Sequence, residues 1–141
     1  MGKVNLSRVI LGGLLAGAII NFSEFILNEK VMKAQWEEAM KALGKSMTQG
    51  GSVMMVWIVW GFVVGIAAVW LYAAIRPRYG AGAATAARAG VAVWLFTCLL
   101  TSIAMQNMGL FPISVLMLVW VLAESIVATV AGAWLYKETG A

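Results

Sequence analysis

Four stretches of this chain are each long and apolar enough to cross a lipid bilayer, and no other feature restricts its fold as much. A spanning helix needs about 20 predominantly apolar residues. The qualifying runs are about Leu6–Leu27, Val53–Ile75, about Ala84–Met105, and Pro112–Tyr136. The hydrocarbon holds no water to satisfy backbone N–H and C=O groups, so a spanning segment must be a helix or a strand of a closed barrel. None of the four runs alternates with period two, which leaves helices. The expected fold class is therefore all-α: residues 1–141 form one integral-membrane domain built as a four-helix transmembrane bundle. Composition agrees, with 62% apolar residues, 11% charged residues and a mean hydropathy of +0.90. Soluble domains carry about 45–50% apolar and about 25% charged residues, and a chain this short cannot hide the difference in a core.

The first run has some features of a secretory signal, with Lys3 and Arg8 before Val9–Leu15 and a small-x-small pattern at Ala16-Gly17-Ala18. Its apolar character continues through Ile19, Ile20, Phe22, Phe25 and Leu27, so it reads as a helix of the mature protein. Asn107 to Pro112 is a short link, with Gly109 to break the third helix and Pro112 suited to the first turn of the fourth. Arg76 to Gly82 reads as a basic turn. The remaining connection, Asn28 to Ser52, is long and charged. Within it a helix from about Glu29 to Leu43 would be amphipathic and extramembrane, because Met32, Trp36, Met40 and Leu43 share a face. Such a helix can lie among the headgroups, fold over the bundle as a cap, or present Met32, Trp36 and Met40 to a partner.

Orientation follows from the bases. Lys3, Arg8, Arg76, Arg78, Arg88 and Lys137 fall on one side, against Lys30, Lys33, Lys41 and Lys45 on the other, which places both termini in the cytoplasm. The net charge of +4, from ten Lys/Arg and six Glu, is topology and lipid contact on this reading, and nucleic acid is not an expected partner. The run Gly65 to Tyr72 aligns with Thr129 to Tyr136, sharing Ala, Trp, Leu and Tyr in register. That pattern has two explanations: a parallel duplication of a two-helix unit, or aromatic residues anchoring two spans at the same interface.

The sequence has no His, no Asp and one cysteine, Cys98, which rules out a His/Cys zinc or haem site within the chain and removes most of the side chains enzymes use for acid–base and nucleophilic work; no cofactor and no enzymatic activity are expected. Gly13, Gly17, Asn21, Glu24 and Asn28 line one face of the first helix at spacings of 4, 4, 3 and 4. With Gly61 and Gly65 in the second span and Gly132 in the fourth, these glycines read as helix-packing positions. Glu124 is the residue that packing does not require. It lies 12 residues from either end of the run 112–136, about 18 Å deep, where an acid must be protonated, paired or functional. Depth counting puts Asn21 and Thr101 level with it and Ser102 and Cys98 within a turn, a possible polar cluster or ion site. Glu24 lies nearer a helix end, a possible second acid rather than an obvious partner.

The glycine stripe with Asn21 and Glu24, the stretch Trp36-Glu37-Glu38-Ala39-Met40 and the closing Trp134-Leu135-Tyr136 together resemble small four-span bacterial inner-membrane proteins of uncharacterised family. The resemblance is one of layout. It implies a bundle in the plasma membrane and not an activity. Two functions are expected on these grounds. One is a non-enzymatic structural or accessory subunit that associates through its helices, with itself or with other membrane subunits. The other is a small proton- or cation-coupled transporter or channel centred on Glu124.

Overall fold

The computed structural model of the chain describes residues 4–46 and 50–138; Lys3, one of the bases that set the expected orientation, lies outside them. The described residues are helical, with no strand among them. Four helices are long and apolar enough to cross a membrane: α1 (Leu6–Val31), α3 (Gly51–Tyr79), α4 (Ala83–Asn107) and α5 (Val115–Trp134). A short helix, α2 (Lys33–Ala42), connects α1 to α3.

The ends differ from the expected ones for local reasons. The last turn of α1, Leu27–Val31, is a wide π-helical turn, so Glu29 to Val31 belong to the span and the connector helix starts only at Lys33. Helix α3 continues through Pro77 to Tyr79, which makes the first half of the expected basic turn helical. A proline so near the end removes one backbone bond only, and Gly80, at φ +85°, then stops the helix with its N–H on the Arg76 carbonyl at 2.9 Å. Helix α5 starts at Val115 because Ser114 takes the cap, its hydroxyl accepting from the Met117 N–H at 3.3 Å, and Pro112 stays outside. At its other end the Leu135 and Tyr136 amides bond back three residues, tightening the chain out of the α-helix before Tyr136.

Helix α1 packs along α3 and α5, and α4 packs along α5 and α3, with α3 and α5 meeting across the shorter diagonal. The core is made of small residues: Ala16, Ala68, Ala86, Ala89 and Ala128 are all fully buried. In lipid, helices gain little from hiding apolar surface, so association depends on close van der Waals contact, which small residues permit. Gly12 and Gly132 face each other backbone to backbone, Gly13 meets Ile66, and Gly17 meets Phe62. Gly65 fits between the backbones of Gly13 and Gly17, where an added Cβ would lie 2.6 Å from the Gly13 carbonyl oxygen. Neither backbone can yield without separating α1 from α3, so Gly65→Ala is expected to cost about 1–3 kcal/mol, as overpacked cores do. A thermal melt in mild detergent checks this, and an unchanged midpoint would contradict the rigidity of that seam.

The buried positions support the duplication over the interface explanation. Gly61, Gly65, Ala68, Val69 and Tyr72 of α3 are buried, and so are Ser125, Thr129, Gly132 and Ala133 of α5 and Tyr136 just beyond it, each 64 positions later. Gly12, Gly13, Ala16 and Gly17 of α1 match Thr85, Ala86, Ala89 and Gly90 of α4 in the same way, 73 positions apart. The contacts match as well. A Cβ on Gly17 would press on Phe62 and the Gly61 carbonyl, and one on Gly90 on Ile126 and the Ser125 carbonyl. Tyr72 and Tyr136 meet edge to face at 5.9 Å, and their hydroxyls accept from the N–H groups of Gly82 and Asn5, the caps of α4 and α1. Aromatic belt anchoring explains a shared Trp and Tyr but not a shared set of glycine and alanine contacts.

At the end away from the termini, Met32 is buried, its sulfur 3.8 Å from the Ser114 hydroxyl, and the Trp36 ring stands edge-on to Phe111 at 5.6 Å. Met32 and Trp36 therefore cap the α4–α5 link of their own chain. No residue of α2 is buried, Met40 being half-buried.

Candidate functional site

Glu124 is the tenth of the twenty residues of α5, about 15 Å of helix from either end. It is 7% exposed, and its carboxyl oxygen Oε2 has no hydrogen-bond partner. Ser23 of α1 lines the same groove as Glu124. Trp120, one turn before Glu124 on the same face, donates its indole N–H to Ser23 Oγ at 2.9 Å. Because that oxygen already accepts from the indole, the hydroxyl proton of Ser23 is free to point at the acid.

Between α1 and α5 an open groove of about 430 Å³ runs past this group, walled by Ile19 and Ser23 on one side and Trp120, Glu124 and Val127 on the other. Apart from Ser23 and Glu124 its lining is apolar or aromatic. It lies within the two spans and opens sideways, toward lipid if the helices cross a bilayer.

The residues expected to gather round Glu124 are dispersed. Asn21 turns to the opposite neighbour, donating to the carbonyls of Gly17 at 2.9 Å and Ile58 of α3 at 3.1 Å, its amide packed on Gly61. Two positions along a helix is roughly 200°, so once Ile19 and Ser23 face α5, Asn21 cannot. Thr101 is exposed and bonds only weakly to the Phe96 carbonyl, at 3.4 Å. Ser102 is half-buried and absent from the lining of the groove at Glu124. Both Thr101 and Ser102 lie beyond a π-helical turn in α4, Leu95–Leu99, whose extra residue rotates the remainder of the helix by roughly 100°.

Glu24, by contrast, is drawn in. It lies one position from Ser23, which lines the groove beside Glu124. The Glu24 carboxylate accepts from Asn28 Nδ2 at 2.6 Å, and Asn28 Oδ1 in turn accepts from the Trp36 indole at 2.8 Å. Trp36→Phe keeps the ring contact with Phe111 and deletes the donor, at an expected cost of about 1 kcal/mol. Faster proteolysis of the α1–α3 connection checks it; an unchanged rate would mean that the indole N–H does not hold the cap.

No protein family, curated protein or solved structure matches this chain. The likeness to four-span proteins thus rests on the pattern of spans, and the chemistry must be argued from the side chains.

Among the described residues no base faces Glu124, and the ion pairs are Lys33 with Glu29 and Arg76 with Glu138, both outside the middle of the bundle. Arg88 is nearest in depth, but it lies two positions from Gly90, which faces α5, and so on the far side of α4, with its guanidinium 5.4 Å from the Tyr79 ring centroid. Nor do the acids and Cys98 make a metal-binding group among the described residues. The site is thus a buried acid with one free oxygen, a hydroxyl beside it and an open apolar approach.

Proposed function

We propose that the protein is a non-enzymatic membrane protein that binds and releases a proton or a cation at Glu124, as the exchanging group of a small coupled transporter. The observation that carries this reading is the carboxyl oxygen Oε2, buried at mid-helix without a partner. An acid at such a place is costly, and a protein keeps one where a mobile charge has to be met. The duplication sharpens the point. The positions equivalent to Glu124 and Ser23 by the same offsets are Trp60 and Phe96, both exposed. The repeat therefore does not itself carry an acid and a hydroxyl at these two positions.

An accessory-subunit role has less to stand on. The glycine pairs that would mark helix association are used within the chain, and Met32 and Trp36 cover the chain's own α4–α5 link. A continuous pore is disfavoured too, because Gly12 and Gly132 close the bundle backbone to backbone. The excess of bases at the termini and the α3–α4 connection supports an orientation with both ends cytoplasmic. Reconstituted vesicles test the reading: a proton or cation gradient should decay faster with the protein than without it. Vesicles as tight as protein-free ones would contradict it.

A further inference from the structure

We propose that the groove between α1 and α5 takes a primary ammonium ion carried on an apolar body, entering from the lipid side with its N–H groups directed at Glu124. The inference rests on the reading of Glu124 as an exchanging group and adds the class of cation. Calcium and magnesium are poor candidates, since they need about six or more oxygen ligands and the groove supplies one carboxylate and one hydroxyl. A primary ammonium needs far less. Its three N–H donors suit a group that only accepts, and the Glu124 carboxylate lines the groove with the Ser23 hydroxyl beside it. Trp120 adds an aromatic wall, fixed in place by its bond to Ser23, and aromatic faces attract cations.

The rest of the groove suits an apolar body. Ile19, Val119 and Val127 line it, and its volume of about 430 Å³ falls within the range of small-molecule sites, about 300–1,000 Å³. A second copy of this chain is a weaker occupant. Its bases lie near helix ends, and the one deepest in a span, Arg88, is stacked on Tyr79.

The experiment is infrared difference spectroscopy of the full chain in lipid nanodiscs, with the Glu124 carboxyl band assigned by subtracting Glu124→Gln. The probe is 4-phenylbutylammonium, compared with its trimethylated quaternary analogue and with protein-free discs. The expected result is conversion of the acid signal to carboxylate as the primary ammonium binds and the Glu124 proton is released to the buffer, the quaternary salt needing at least tenfold more. Val127→Trp fills the groove at a position 57% exposed, so folding is not at stake. It should raise the amine requirement at least tenfold while leaving the response to pH intact; Ile19→Trp tests the other wall. A band that responds to pH but not to amine overturns the inference and leaves the exchange reading standing. A band that responds to neither overturns both. Equal potency of the quaternary salt overturns the requirement for N–H donors. A band that moves with Arg88→Gln and with no added amine makes a second copy the occupant and overturns the proposal.

Discussion

Glu124→Gln is expected to reduce gradient-driven flux in proteoliposomes at least tenfold while leaving the bundle folded. An amide cannot release a proton or neutralise a cation, yet it has nearly the same volume and an oxygen that can accept from the neighbouring Ser23 hydroxyl. The fold should therefore survive with its helical content and melting midpoint close to wild type. Glu24→Gln should have a smaller effect, because that carboxylate is already held by Asn28. Equal flux from wild type and Glu124→Gln would remove Glu124 from the transport step.

Glu124→Leu carries the second large effect, and its sign separates the two roles of the acid. If Glu124 were glue between α1 and α5, leucine would lose a bond worth about 1 kcal/mol and the protein would melt earlier. On the present account the dominant change is removal of a buried acceptor atom that nothing satisfies, a burden of about 1–3 kcal/mol. Leucine also suits the apolar walls of the groove, and the equivalent position in the other half is already apolar, Trp60. The variant should melt later than wild type and be inactive, the usual trade of stability against a functional site. Measured by thermal denaturation in one detergent, a fall in midpoint would favour the structural role.

Much of the bundle is legible in the sequence, because the length and polarity of a span are one-dimensional properties. All four spans fall within a few residues of their expected limits. The glycines Gly13, Gly17, Gly61, Gly65 and Gly132 all sit where helices touch, since spacing along a helix reports its face. Gly12 and Gly90 have the same role and stand outside those stripes. Depth is legible too, and Glu124 is at mid-span. Azimuth beyond a single helix is not. Asn21 and Thr101 share a depth band with Glu124 but point elsewhere, the first because Ile19 and Ser23 claim the α5 face, the second because a π turn intervenes. The neighbours that count are within reach of simple spacing: Trp120 is one turn from Glu124, and Ser23 precedes Glu24. Placing them against each other requires the antiparallel register of α1 and α5, which the Gly12–Gly132 contact fixes and no local pattern announces.

The central claim is that the Glu124 carboxyl group changes its protonation or its partner under working conditions. The most direct measurement is the infrared carboxyl absorption of wild type minus Glu124→Gln in lipid bilayers, followed through a pH series. The account predicts a carboxyl band unique to wild type that is lost and regained reversibly as pH is raised and lowered. A band that stays constant across the series would make Glu124 a permanently neutral packing residue and contradict the account.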